Sequence, residues 1–251
     1  MNAALDELRS NLDGALIALD FDGTLSDLVP DPMQARAVPG AIEALVGLTE
    51  RGAQVAIVTG RDAMTVIGLG ELERIPGVVV SGLHGAETWR GGTLRTRDEP
   101  VGLAALRTEL PPLLPADVWL EDKRLSLVVH ARKAENPEQR LAEIDQAVTR
   151  LVQAHGLEAH PGKQVIEIRI PGLSKATALH ELLTDATTAA LFAGDDLGDL
   201  PGVQAVNDWG NRTGRPALTI AVGEVVELRT RTGLQLDKPE ELATLLTELA
   251  G

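Results

Sequence analysis

The run Ala15-Leu16-Ile17-Ala18-Leu19 is unbroken apolar chain that stops abruptly at Asp20-Phe21-Asp22-Gly23-Thr24-Leu25. A short continuous apolar run ended by charge reads as a strand buried on both faces, the kind found in parallel sheets. Gly23 breaks it, because glycine accepts backbone angles that other residues avoid. Parallel strands need crossover connections, so this one feature calls for strands alternating with helices around a sheet. It also sets two carboxylates at a strand's carboxyl end, where open α/β sheets bind ligands.

The rest of the chain answers that demand. Helical spacing over 40–51 places Ile42, Leu45, Val46 and Leu48 on one side. Gln54 to Val58 is a second apolar strand ending in Thr59-Gly60-Arg61, and a helix is expected over 62–70. Val78-Val79-Val80 is a third strand, running into Ser81-Gly82-Leu83-His84-Gly85. After Pro171 the pattern resumes with a helix over 175–183, a strand over 188–193 ending in Gly194-Asp195-Asp196, a strand over 218–222 and a helix over 239–249. Between these stretches lies a different texture. A helical stretch opens at Asp98 to Pro100 and runs to about Leu114, strands are expected over 118–121 and 126–132, an amphipathic helix covers 137–155, and strands over 157–160 and 164–169 alternate apolar with polar residues. The expected organisation is a core over 1–97 and 171–251 interrupted by a small α+β unit over 98–170.

Composition removes several classes of function. The formal net charge of −14 argues against nucleic acid or an anionic membrane as partner. Two Phe, three Trp and no Tyr leave few platforms for base stacking. No Cys is present, which excludes disulfides, thiolate-bound zinc and thiol catalysis. Neither a secretory signal nor a run of membrane-spanning length is visible, so a cytoplasmic protein is the expectation; a monomer is expected as well.

Asp20, Thr59 and Asp195 each follow the end of a predicted parallel strand, so they should meet at one sheet edge. An isolated Asp-Gly after a strand is an ordinary turn; three polar strand ends together are not. Asp195, Asp196 and Asp199 form a second acidic cluster, and such clusters need a cation or hydrogen bonds to offset repulsion. Hard oxygen ligands with open positions suit Mg²⁺. Lys175 opens a helix after Ser174, a candidate N-cap. There it opposes the helix dipole, which points to an anion nearby.

In this order, Asp20-Phe21-Asp22-Gly23-Thr24, Thr59-Gly60-Arg61, Lys175 and Gly194-Asp195-Asp196 with Asp199 resemble the motif set of the haloacid-dehalogenase-like (HAD) phosphohydrolases. The resemblance implies an α/β fold with a Rossmann-like parallel core and an inserted α+β cap. It also implies that Asp20 is a nucleophile forming an aspartyl-phosphate, and that Asp22 protonates the leaving oxygen and later activates water. Thr59 and Lys175 would hold the phosphoryl oxygens and Asp20. Mg²⁺ would lie among Asp20, Asp195, Asp199 and Asp22, the last through its backbone carbonyl.

Within that group the insert is similar to the lid of trehalose-6-phosphate phosphatases. The matching stretches are Gly82-Leu83-His84-Gly85-Ala86-Glu87, Glu121-Asp122-Lys123, Ser126 to Arg132, and Gly162-Lys163-Gln164-Val165-Ile166-Glu167-Ile168-Arg169. The similarity implies a Mg²⁺-dependent phosphatase that releases phosphate from a phosphosugar, first of all trehalose 6-phosphate, held by Arg61, Glu121, Lys123, Arg132, Lys163 and Glu167. Paired Glu and Lys on a strand face suit sugar hydroxyls, although a solvated face with salt bridges would read the same way. His84 and His130 receive structural roles. Gly198 and Leu200 depart from the lid-bearing group's usual Thr and Glu in the last motif. Sister phosphatases acting on sucrose phosphate or on glucosyl- or mannosyl-3-phosphoglycerate remain open, as do a phosphotransferase and a non-catalytic sugar-phosphate sensor.

Overall fold

The computed structural model describes residues 3–162 and 164–251. The chain forms two compact units, one of Met1–Arg95 with Ser174–Gly251 and the other of Thr96–Leu173. In the first, β1 (Leu16–Leu19), β2 (Gln54–Val58), β3 (Val79–Gly82), β4 (Glu87–Arg90) and β5 (Thr93–Thr96) precede the interruption. In the second, β6 (Trp119–Asp122), β7 (Leu127–His130), β8 (Glu158–Gly162) and β9 (Val165–Arg169) form a sheet of order β6-β7-β9-β8. The first unit then adds β10 (Ala190–Gly194), β11 (Ala217–Val222) and β12 (Leu234–Leu236). Its eight strands are ordered β12-β11-β10-β1-β2-β3-β4-β5. The six strands from β12 to β3 are parallel, and β4 returns antiparallel to β3.

The helices are α1 (Ala3–Ser10), α2 (Ala41–Glu50), α3 (Ala63–Gly70), α4 (Val101–Glu109), α5 (Pro137–Ala154), α6 (Lys175–Leu182), α7 (Leu200–Thr213), α8 (Val226–Arg229) and α9 (Pro239–Ala250). Both faces of the parallel sheet are buried, which is why its strands read as continuous apolar runs. Ile17, Leu19, Ile57 and Ile220 face α1, α2, α3 and α9, meeting Leu8, Leu45, Val66 and Leu246. Leu16, Ala18, Val58 and Phe192 face α6, α7 and α8, meeting Leu179, Val206 and Leu228. The parallel register pairs Leu19 with both Ile57 and Ala193, so the central strands end level. Asp20, just past β1, still donates its amide to the Ala193 carbonyl at 2.9 Å.

The interrupting unit is two-layered. Leu127, Val129, Ile166 and Ile168 point to one side of its sheet and pack on Leu103 and Leu106 of α4 and Ile144, Val148 and Val152 of α5. Among the described residues no helix is long and apolar enough to cross a membrane.

Several elements differ from the sequence expectation. The helix expected from Pro100 to Leu114 stops as α4 at Glu109, and the strand expected to Arg132 stops at His130. The elements α1, α7, α8, β4, β5 and β12 were not expected. The longest omission, α7, carries Pro201, Gly202 and Gly210, which disguise a helix. Packing accounts for the two glycines: a Cβ on Gly202 would lie 2.7 Å from the Phe192 ring, and one on Gly210 would lie 2.5 Å from Ala217 Cβ. Gly68 in α3 has open space instead. Gly68→Ala should therefore stabilise the protein by about 0.5–1 kcal/mol through helix propensity. Gly210→Ala should destabilise it by about 1–3 kcal/mol through overpacking. Urea midpoints of the two variants check the opposite signs.

Candidate active site

The carboxyl ends of β1, β2 and β10 bring the predicted residues together. Gly23, at φ 76°, turns the chain after β1 against the loop after β10, where a Cβ would lie 2.1 Å from Asp195 Oδ2. Gly194 admits Asp199 in the same way, since a Cβ there would lie 2.1 Å from Asp199 Cγ. Glycine is required at both places by close approach, and the result is a tight set of acids.

Lys175, the first residue of α6, lies buried among them. Its Nζ donates to Asp20 Oδ1 at 2.8 Å and to Asp199 Oδ1 at 2.5 Å. Asp199 Oδ2 accepts from the Asp195 and Asp196 amides at 2.9 and 3.1 Å. Both Asp199 oxygens thus accept hydrogen bonds, one from the ammonium and the other from the loop after β10. Ser174 occupies the N-cap position of α6 but makes no side-chain cap bond, so its expected capping role does not hold.

The electrostatics show a site with excess negative charge. Burial pushes the Asp20 carboxyl up to about 7; Lys175 opposes the shift and Asp199 adds to it. Burial, with the charges of Asp20, Asp199 and Asp196, pushes Asp195 up to about 9. Burial also works against the Lys175 ammonium, but Asp199 and Asp20 outweigh it and hold its pKa above the ordinary lysine value. One ammonium among this many carboxylates leaves them under-compensated. Asp20, Asp195 and Asp199 each offer an oxygen within 4.8 Å of the others, which fits a hard divalent cation such as Mg²⁺.

Asp22 is placed differently. Its carboxylate is gripped at both oxygens by Arg61, Nε to Oδ2 and Nη2 to Oδ1, each at 2.6 Å. The hydrogen bonds to Asp22 hold the Arg61 guanidinium above its usual range against partial burial, and the charges of Asp22, Asp20 and Asp62 add to this. Thr59 is buried and its Oγ1 accepts from the Arg61 amide at 3.1 Å. The two loops are therefore tied, the one after β1 to the one after β2. His84 and Leu83 hold the second loop from behind, both at positive φ, donating their amides to Thr59 and Arg61 carbonyls at 3.1 and 2.8 Å.

The chain as a whole has counterparts among known proteins. The family model described as trehalose-phosphatase matches residues 18–110 and 115–227, which include every strand-end residue described above. The chain belongs to the trehalose-phosphatase family. A trehalose-phosphate phosphatase of Mycobacterium leprae is 36% identical over 211 residues, covering 76% of this chain and 47% of that protein. One from Mycobacterium avium is 32% identical over 249 residues, covering 93% of this chain and 61% of that protein. The chain spans about half the length of these mycobacterial relatives. Among solved structures, the C-terminal domain of Candida albicans trehalose-6-phosphate phosphatase matches with a TM-score of 0.80 at 21% identity, covering 99% of this chain and 96% of that one. A trehalose-6-phosphate phosphatase related protein matches with a TM-score of 0.73 at 23% identity, covering 94% and 97%. At those identities the structures show the fold, an α/β core of HAD type.

The family's second unit carries the remaining candidates. Register places Glu121 opposite Val128, and Val128 opposite Glu167, so both acids share the sheet face turned away from α4 and α5. Glu167 is paired with Arg169. Lys123 lies in the β6–β7 turn, its amide donating to the Ser126 carbonyl at 2.9 Å, and Arg132 is exposed just beyond β7. Lys163 lies outside the described residues. Trp119 and His130 join Glu121 on the same face, a grouping missed in the sequence although Trp119 and Glu121 stand at strand period.

The acid cluster gives a pH signature with a definite sign. In metal-free protein, folding raises Asp20 and Asp195 from about 3.8 toward 7 and 9. The folded state then holds protons that the unfolded chain has released, so stability should fall as pH rises from about 4 to 9. Added Mg²⁺ should flatten that loss. Without metal at pH 8, Asp195→Asn should melt at least about 2 °C above the parent, and its response to Mg²⁺ should shrink. Thermal melts across pH, with chelator and with Mg²⁺, check both signs.

Proposed function

We propose that this chain is a Mg²⁺-dependent phosphatase that converts trehalose 6-phosphate and water to trehalose and phosphate. The observation that carries the reading is the buried Lys175 ammonium bonded to Asp20 at the carboxyl edge of the parallel sheet. It holds one carboxylate oxygen of Asp20 and leaves the other for attack, in a place where anionic oxygens are neutralised by nearby cations. Family membership supports the substrate.

In this mechanism Asp20 attacks the phosphorus of the sugar phosphate, forming an aspartyl-phosphate as the ester oxygen leaves. Asp22 gives that oxygen its proton. Water, deprotonated by Asp22, then attacks the phosphorus, releasing phosphate and restoring the Asp20 carboxylate. The covalent detour divides one difficult displacement into two easier ones. Lys175 and the Thr59 hydroxyl orient the phosphoryl oxygens, and positioning with charge neutralisation does most of the work in such transfers. Asp20 and Asp195, with Asp199 in the same cluster and the Asp22 backbone carbonyl, would hold Mg²⁺. The ion supplies positive charge to the phosphoryl oxygens when bound. Asp22 must leave Arg61 to reach the ester oxygen. The phosphoryl group offers Arg61 an equivalent bidentate partner, so substrate binding and release of the acid are one exchange. Glu121, Lys123, Arg132, Lys163 and Glu167 supply the sugar contacts.

Phosphate release from a panel of trehalose 6-phosphate, sucrose phosphate and glucosyl-3-phosphoglycerate tests the substrate. Trehalose 6-phosphate should give the highest kcat/KM, and turnover should stop with excess chelator. Asp20→Asn should lower kcat by at least about a thousandfold. Sucrose phosphate turned over with trehalose 6-phosphate untouched would remove the substrate claim, and undiminished release by Asp20→Asn would remove the mechanism.

A further inference from the structure

On the face of the second unit's sheet turned away from α4 and α5, four side chains from β6, β7 and the segment after it form a column. His130 Nε2 lies 2.6 Å from Glu121 Oε2. The imidazole stacks on the Trp119 indole, with centroids 4.8 Å apart and planes 7° from parallel. Lys133 Nζ lies over the Trp119 ring, 4.7 Å from its centroid. His130 is 8% exposed, and its Nδ1 is buried with no hydrogen-bond partner among the described residues.

The orphaned nitrogen is the informative part. A buried polar atom without a partner is unfavourable. The neighbouring positions on this face, Val128 and Val165, are apolar and buried. Phenylalanine would fill the place of His130, keep the stack on Trp119 and remove the orphan. The fold alone therefore does not call for histidine. What histidine adds is the bond to Glu121, whose side chain is 44% exposed. That bond holds one oxygen of a carboxylate that is otherwise open to solvent, and so fixes the orientation in which the group can accept. The next residue, Asp122, is locked to Arg107 on the helix side, so β6 carries one acid for the fold and one for the face.

We propose that His130 is a positioning residue that acts through Glu121, pre-orienting its carboxylate to accept a hydroxyl of the substrate's sugar. The proposal deepens the function stated above and rests on Glu121 being a sugar contact. A fixed acceptor loses less freedom on binding than a mobile one, so removing the fixing bond should weaken affinity.

The test uses the full chain carrying Asp20→Asn, so that trehalose 6-phosphate binds without turnover, with affinity measured by calorimetry in Mg²⁺. His130→Phe should weaken binding about 5- to 30-fold, the loss of one charge-assisted hydrogen bond. Its urea midpoint should stay level or rise, which a purely structural role would not produce. His130→Gln, whose amide can donate to Glu121, should recover most of the affinity. In a Glu121→Ala background, His130→Phe should change affinity less than twofold. If Glu121→Ala leaves affinity unchanged, the sugar-contact reading fails and the proposal with it. If Glu121→Ala weakens binding but His130→Phe does not, or if the two losses multiply independently, the reading survives and the positioning role of His130 is overturned.

Discussion

The core unit's chemistry depends on one buried ammonium between two carboxylates. Lys175 reaches Asp20 and Asp199 from the first turn of α6, and both acids are almost fully buried. Removing the ammonium would leave two buried carboxylates facing each other, a situation that costs about 3–5 kcal/mol when a buried pair is broken. The second oxygen of Asp199 extends the tie to the amides of the loop that carries Asp195. Asp20, the Lys175 ammonium and the acidic loop are thus one connected object. Its position is set by a register that ends β1, β2 and β10 at the same level.

This connectedness explains why the candidate site was legible in the sequence and much of the surrounding structure was not. Asp20, Thr59 and Asp195 follow short apolar runs that are too brief for helices and are closed by Gly within a few residues, which is the pattern of parallel strands buried on both faces. Their convergence is then a property of sheet topology. The helix α7 obeys a different logic. Its Gly202 and Gly210 answer to Phe192 and Ala217, residues on other elements. Local propensity points away from helix there, and tertiary contact decides. The hairpin β4–β5 is similar: Glu87 is buried at its start, its carboxylate accepting from the Ala63 amide at 2.9 Å, a long-range bond that no periodicity announces. The Asp22–Arg61 grip was equally hidden, since spacing along the chain says nothing about which of two facing loops will pair.

The second unit separates its two sheet faces by a single alternation. On β6, Leu120 and Asp122 turn to the helices and Trp119 and Glu121 turn away; β7 and β9 repeat the division. Burial of Leu127, Val129, Ile166 and Ile168 holds the unit together from one side. The opposite face is therefore free to vary in chemistry without loss of the core, and it carries acids, imidazoles and an indole. Sequence pattern marks such a face as polar but does not separate a solvated surface from a binding one. The distinction comes from side-chain order: a carboxylate held by a stacked, buried imidazole is prepared in a way that a solvated salt bridge is not.

The net charge of −14 and a phosphorylated substrate are compatible for the same reason. Long-range repulsion between solvent-exposed charges fades over about 8 Å at physiological salt, whereas buried charges a few ångströms apart are screened far less. At the sheet edge the immediate neighbours of an incoming phosphoryl group would be Lys175, Arg61 and a bound divalent cation. The acids that outnumber them are already engaged: Asp199 by Lys175 and two amides, Asp22 by Arg61. Asp20 and Asp195 are left under-compensated, which is why burial and neighbouring acids raise the affinity of both for protons, and a bound cation would meet the same demand. A surface rich in carboxylates and a sheet edge able to receive phosphate would then be successive layers of one design, with a divalent cation as the link between them.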